Sequence, residues 1–286
     1  MTNARETPLT STPVKLDWNH PEISAAIRRA LEEDIGSGDI TTETCVPADS
    51  RSNGSFLARE PLIVGGIEIL PRIYSEEQIE LLVRSGEHIA AGVVIARVSG
   101  STRRLLTLER TALNFLQRLS GVATQAAKYV AAVEGTSCAI LDTRKTTPGL
   151  RRLEKLAAHA GGVTNHRIGL FDAVLIKNNH ITAAGGVRAA LARFSGTELP
   201  VEIEVRSFAE LEDAMIADAK HILLDNFTPS DVRAAMAKIA GRAEVEVSGG
   251  ITLENIREYA EAGPDYISAG AVTHSAPAVD LSFRLE

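Results

Sequence analysis

Cations gather where two short apolar runs end. Ala139–Leu141 runs into Asp142-Thr143-Arg144-Lys145, and Phe171–Ile176 into Lys177-Asn178-Asn179-His180. Between them lie Arg151, Arg152, Lys155, His159, His166 and Arg167. Residues 139–180 hold seven Lys and Arg against three Asp and Glu, in a chain whose net formal charge is −7. Guanidinium groups grip planar carboxylates bidentately, and lysines hold phosphates as point charges. A concentrated positive pocket in an acidic protein points to a small polyanion; nucleic acid would call for a broad basic face.

Other strand-like runs end in groups of a second kind. Val201–Val205 carries Glu202 and Glu204, of which one is expected to face inward, and an inward carboxylate needs a cation or metal partner. His221–Leu224 leads into Asp225, either a ligand-binding acid or a cap for the next helix. Glu244–Val247 precedes Ser248-Gly249-Gly250, and Asp265–Ser268 precedes Ala269-Gly270-Ala271. Backbone N–H groups in such turns suit a phosphate, with Ser248 adding a hydroxyl donor, although the turns could equally be tight turns only. Lys177 follows too apolar a run to read as a surface lysine. His166 and Arg167 fall in a loop, which argues against a packed-core role, whereas His159 on a helix reads as structural. Two carboxylates could hold Mg²⁺, which binds through one or two acids plus substrate phosphates. They could also face a positive charge developing on a sugar. The set fits a phosphorylated sugar diphosphate reacting with a carboxylated acceptor.

Positioning these groups at one rim requires only a parallel α/β array, because ligands bind outside the carboxyl ends of its strands. The strand runs alternate with amphipathic stretches at 207–216, 229–239 and 252–262, and their number, six or seven, predicts an incomplete α/β barrel. Upstream, Ile23, Ile27 and Leu31 predict a helix over 21–33. The acidic loop 33–41 does not match EF-hand spacing and reads as a glycine-permitted turn with Asp capping. Residues 54–99 are β-like around a short helix at 73–79, and a helix is predicted over 107–134. Val279, Leu281, Phe283 and Leu285 alternate with polar residues, predicting a terminal strand that returns to the N-terminal sheet. The expected domains are 1–116 with 277–286, and 117–276. Polar residues 1–20 read as a loose arm with no signal or membrane span. Cys45 and Cys138 are too few and scattered for a disulfide scaffold or zinc site, so reduced thiols and a cytoplasmic location are expected.

From about Glu33 to Phe283 the chain resembles the quinolinate phosphoribosyltransferase family. The likeness is carried by EDIGSGDIT at 33–41, ERTALNFLQRLSG at 109–121, DTRKTTPGLR at 142–151 and NHRIGLFDAVLIKNNH at 165–180. EIEV at 202–205, LLDN at 223–226, EVSGGI at 246–251 and ISAGAVTHS at 267–275 continue it. The resemblance implies an N-terminal open α/β sandwich and a seven-stranded incomplete α/β barrel, in a homodimer where one N-terminal domain closes the other barrel's mouth; further assembly stays open. It implies transfer of phosphoribose from 5-phosphoribosyl 1-diphosphate to quinolinate with decarboxylation, giving nicotinate mononucleotide for NAD biosynthesis. Arg110 of the partner subunit would join Arg144, Lys145, His166, Arg167 and Lys177 around the two quinolinate carboxylates. Glu204 and Asp225 would serve the ribose diphosphate and its Mg²⁺, making these acids, with Lys145 and Lys177, the catalytic set. Ser248, Gly249, Gly250 and Gly270 would hold the 5′-phosphate, with His274 nearby. Three rivals stand beside it: a Schiff-base lyase using Lys177, a phosphosugar-binding sensor, and a transferase for nicotinate. The many arginines, the paired acids and the excess of cations argue against them in turn.

Overall fold

The computed structural model describes residues 16–286; residues 1–15 of the expected arm lie outside the described residues. Pro21, with φ preset for a first turn, opens α1 (Pro21–Ile35), and the Asp39 carboxylate caps α2 (Ile40–Cys45) by accepting the Thr42 N–H at 2.9 Å. The expected Asp-capped turn is therefore present. Then come β1 (Arg51–Ala58), β2 (Leu62–Ile63), α3 (Leu70–Ile73), β3 (Gln78–Leu81), β4 (His88–Ile89), β5 (Val94–Ser101) and the long α4 (Thr102–Ala132). The barrel segment runs β6 (Ala139–Leu141), α5 (Arg151–Ala160), β7 (Val174–Ile176), α6 (Asn178–Ala184), α7 (Val187–Ala192) and β8 (Val201–Val205). It continues α8 (Phe208–Ile216), β9 (His221–Asp225), α9 (Pro229–Ile239), β10 (Glu244–Ser248), α10 (Ile256–Ala260) and β11 (Tyr266–Ser268), before the terminal β12 (Leu281–Leu285).

Two compact units result. One comprises residues 16–127, 146–162 and 272–286. Its antiparallel sheet has the order β12-β1-β5-β3, so the last strand does return to the N-terminal sheet, pairing Phe56 with Phe283. Their rings lie 5.0 Å apart. Leu105, Leu108, Ala112, Leu116 and Leu119 form the buried stripe of α4, at the three- and four-residue spacing a helix needs to bury one face. α4 starts five residues before the predicted helix because Arg103 and Arg104 interrupt the apolar pattern, not the backbone. The short helix lies at 70–73 rather than 73–79, since Pro71 favours a first turn, and 78–81 is the strand β3.

The other unit comprises residues 128–145 and 163–271. Its six strands are all parallel in the order β6-β11-β10-β9-β8-β7, and a parallel bridge from Leu141 to Thr164 fills a seventh position beyond β6. This is an incomplete α/β barrel, open between Thr164 and β7. The two cation-bearing strands β6 and β7 thus sit at opposite edges of one sheet. Only the second half of the run 171–176 is strand. Asp172 accepts the N–H groups of Ile168 and Gly169 at 2.7 and 2.8 Å, turning the chain there and leaving Leu170 and Phe171 exposed. Among the described residues no helix is long and apolar enough to cross a membrane.

Candidate active site

The strand ends of the parallel sheet converge on a cavity of about 320 Å³, into which Arg144, Lys145, His166, Arg167, Lys177 and Ser248 all face. A larger hollow of about 820 Å³ lies at the opposite, amino-terminal ends of β8 and β9, by Pro200 and Lys220. Barrel chemistry belongs to the carboxyl ends, and so does the cationic set.

At the end of β6 the buried Asp142 carboxylate accepts the Asn165 side-chain amide at 2.6 Å and the His166 N–H at 2.9 Å. This ties the 163–167 loop to the strand carrying Arg144. In the sequence Asp142 reads only as a charge. Its signal is the position directly before the cationic run, where a short acid can take backbone N–H groups. Asp142→Ala should cost about 2–3 kcal/mol, the penalty of leaving such charge-assisted bonds unmade. A calorimetric melt checks this; an unchanged Tm would show that the loop stands without Asp142.

His166 and Arg167 are buried, contrary to the expectation for loop residues, because this loop forms the barrel's missing strand position. The Arg167 Nη1 donates to the Ala173 carbonyl at 3.1 Å. Burial, and then the neighbouring Arg144 charge, lower its proton affinity. His166 Nε2 reaches Glu202 Oε2 at 3.2 Å and Glu246 Oε2 at 3.4 Å, and its Nδ1 accepts the Arg167 N–H at 2.7 Å. Burial disfavours the charged ring, whereas Glu246 and Glu202 favour it and raise its pKa. The Arg167 N–H opposes that rise, since only an unprotonated Nδ1 accepts it. With that bond made the ring is neutral, and we assign its proton to Nε2, facing the carboxylates.

Both acids of β8 face inward. Residues two apart in a strand share a face, so Glu202 and Glu204, 0% and 6% exposed, enter the barrel together, and the expectation of a single inward acid is corrected. Lys177 Nζ, at the end of β7, donates to Glu204 Oε2 at 2.9 Å. The Lys177 backbone N–H goes to His180 Nδ1 at 2.9 Å, which gives His180 the start of α6 instead of the cavity. Deeper in, the carboxylates of Glu202 and Glu246 flank the same His166 nitrogen. Burial, then the Glu246 charge, pushes the Glu202 pKa up to about 7; for Glu246, His166 outweighs burial and holds it down. Glu246 escapes sequence reading because EVEVS has the pattern of an ordinary alternating strand.

Asp225 does not cap the next helix; Thr228 does, accepting the Asp231 N–H. Asp225 instead accepts the Ser248 hydroxyl at 3.0 Å and the Asn226 amide at 2.9 Å. Ser248, expected as a phosphate donor, thus directs its hydroxyl to Asp225. Gly249 has φ +96°, and a side chain there would strike Asn226, so only glycine brings this turn so close. Gly250 (φ +63°) continues the turn, and Gly270 follows β11. Glu204 and Asp225 end neighbouring strands and offer oxygen ligands, a donor set that fits Mg²⁺ when phosphate oxygens and water complete it. Arg110, exposed on α4, and His274, exposed beside Ser275, belong to the other compact unit.

Residues 39–120 match the family Quinolinate phosphoribosyl transferase, N-terminal domain, and residues 122–284 match its C-terminal domain. The chain is 42% identical over 271 residues to the carboxylating nicotinate-nucleotide pyrophosphorylase of Mycobacterium leprae, covering 91% of this chain and 95% of that one. It is 38% identical over 295 residues to the chloroplastic counterpart of Oryza sativa subsp. japonica, covering 93% and 79%. The solved nicotinate-nucleotide pyrophosphorylase of Francisella tularensis superposes with a TM-score of 0.90 at 37% identity, covering 98% of this chain and all of that one.

Proposed function

The chain belongs to the quinolinate phosphoribosyltransferase family, and from that premise we propose how its residues divide the work. The activity is transfer of the phosphoribosyl group of 5-phosphoribosyl 1-diphosphate to the ring nitrogen of quinolinate. Decarboxylation accompanies it, giving nicotinate mononucleotide, CO₂ and pyrophosphate in de novo NAD biosynthesis. The observation that carries the assignment of roles is the single cavity holding two arginines, two lysines and Ser248, with Glu204 and Asp225 hydrogen-bonded to its lining.

Arg144 and Arg167 position the two quinolinate carboxylates, with His166 beneath and Arg110 of the partner subunit completing the set. Lys145 and Lys177 reach the diphosphate. The ring nitrogen displaces pyrophosphate at ribose C1 through an oxocarbenium-like state, whose charge type the Glu204 and Asp225 carboxylates stabilise. The nitrogen thereby becomes cationic and stabilises the carbanion left on the adjacent ring carbon when its carboxylate departs as CO₂; a proton from water then takes the carboxylate's place on that carbon. Gripping that carboxylate equally in ground and transition states would add nothing to this step, so the arginines are assigned to orientation. Glu204 and Asp225 would hold Mg²⁺, which supplies charge neutralisation at the diphosphate. Gly249, Gly250, Gly270 and His274 serve the 5′-phosphate; Ser248 acts there or through Asp225. The assembly is a homodimer with shared sites, and two free thiols, Cys45 and Cys138, support a reducing cytoplasmic setting.

Incubation with quinolinate, 5-phosphoribosyl 1-diphosphate and Mg²⁺ should yield nicotinate mononucleotide and CO₂ in equal amounts. Nicotinate serving as the better acceptor would overturn the assignment of both carboxylates to the pocket.

A further inference from the structure

We propose that Glu202, seconded by Glu246, is a positioning residue for the quinolinate pocket: it fixes the His166 ring and, through that ring, the backbone carrying Arg167. The proposal rests on the functional reading above. The imidazole spans two levels of the site. On its inner side Nε2 hydrogen-bonds to Glu202 Oε2 at 3.2 Å, with Glu246 Oε2 beside it at 3.4 Å; on its outer side Nδ1 receives the N–H of Arg167 itself at 2.7 Å. Arg167 is 6% exposed and held at its far end by the Ala173 carbonyl, so its guanidinium is aimed by its backbone and has little freedom to find its own place. The acids stand on rigid elements. Glu202 is on β8 and Glu246 on β10, strands that both pair with β9.

A barrel interior is ordinarily filled by Val, Ile and Leu, and burying two acids contributes little to stability. Their placement has a geometric consequence instead. A ring whose nitrogens meet an acceptor on one side and a donor on the other has one tautomer and one orientation, so Arg167 inherits a fixed origin. Bidentate recognition of a carboxylate is exacting: a misplacement of about 1 Å costs on the order of 10² in rate or affinity. The ligand atoms of His166, Glu202 and Glu246 all lie within 4.8 Å of one another, as a metal site's would. The Nε2 proton required by the Arg167 bond fills the centre of that cluster and makes it a hydrogen-bonded one.

Glu202→Leu removes the acceptor at similar volume, whereas Glu202→Gln retains a carbonyl for the Nε2–H. The Glu202→Leu variant is expected to raise KM for quinolinate about tenfold or more, with KM for 5-phosphoribosyl 1-diphosphate within about twofold of wild type, and Glu202→Gln to recover most of the loss. Equal rises in both KM values, an unaffected Glu202→Leu variant, or no rescue by Glu202→Gln would overturn the proposal. Should the Glu202→Leu substitution prevent folding, ¹⁵N NMR of histidine-labelled wild-type enzyme decides. An Nε2–H signature for His166, with and without quinolinate, supports the proposal, and an Nδ1–H or a doubly protonated signature overturns it. A wild-type enzyme making no nicotinate mononucleotide would instead remove the functional reading, a failure visible before any variant is compared.

Discussion

Lys177→Ala is expected to lower kcat for nicotinate mononucleotide formation by about 10²–10³-fold while leaving the fold intact. That is the cost of removing one pre-organised charge from a transition state. Lys177 is suited to such a role by what surrounds it. Its ammonium is half exposed at the end of β7 and meets the buried Glu204 at 2.9 Å. An ion pair with one exposed partner contributes little to folding, about 0–1 kcal/mol, so the melt of the variant should stay close to wild type. In the structure the same ammonium stands between the cationic cavity and Glu204. On the proposed assignment its loss removes a cation directed at the leaving group, and it leaves Glu204 without this partner. Lys177→Arg should not rescue, because a planar fork cannot replace a compact point charge on this stem. Steady-state kinetics with a thermal melt on the same preparation checks both halves. A kcat within about threefold of wild type would remove Lys177 from the chemistry.

The pairing with Glu204 also bears on the lyase rival. An amine that forms a Schiff base is activated by an apolar pocket or by a neighbouring cation that favours its neutral form. Lys177 has the reverse, a carboxylate within hydrogen-bond distance and access to water. The sensor rival fares no better, since binding a phosphosugar gives no reason to set Glu204 and Asp225 at adjacent strand ends.

Much of this is legible in the chain, and the rest is hidden for identifiable reasons. Strand runs followed by Arg144, Lys177, Asp225 and Ser248 can be read because parallel strands are apolar and their ends are abrupt. The alternation from Val279 to Leu285 locates β12 for the same reason. What the sequence conceals is how side chains within the barrel answer one another. Glu202 and Glu204 read as alternatives, although a period of two puts both on one face. Asp142 and Asp172, which hold the backbone around His166 and Arg167, make their bonds to N–H groups that carry no sequence signature. His166 looks like a loop residue because the seventh strand position is reduced to one bridge at Thr164, too short for any hydrophobic pattern to register. Phe171 misleads in the other direction: an apolar residue next to a strand need not belong to it, and here the Asp172 turn leaves it exposed.

The proposed sharing of each site between two subunits leads to the second large effect. Arg110→Ala and Lys177→Ala homodimers should each be nearly inactive if both residues serve one cavity, yet unfolding and refolding a one-to-one mixture should restore about a quarter of wild-type activity. The figure follows from the symmetry of an isologous dimer. Random pairing makes about half the dimers mixed. In each of those, the Arg110→Ala subunit keeps Lys177 in its own barrel and receives Arg110 of the partner subunit, so one site of two is whole while the other carries both losses. Arg110 lies exposed on α4, in the compact unit other than the one that bears the cations, which leaves its guanidinium accessible to a second subunit. Activity measured against the mixing ratio should peak at equal amounts. A mixture no more active than the weighted sum of the two variants would place Arg110 and Lys177 in the same chain's site, or Arg110 outside the site altogether.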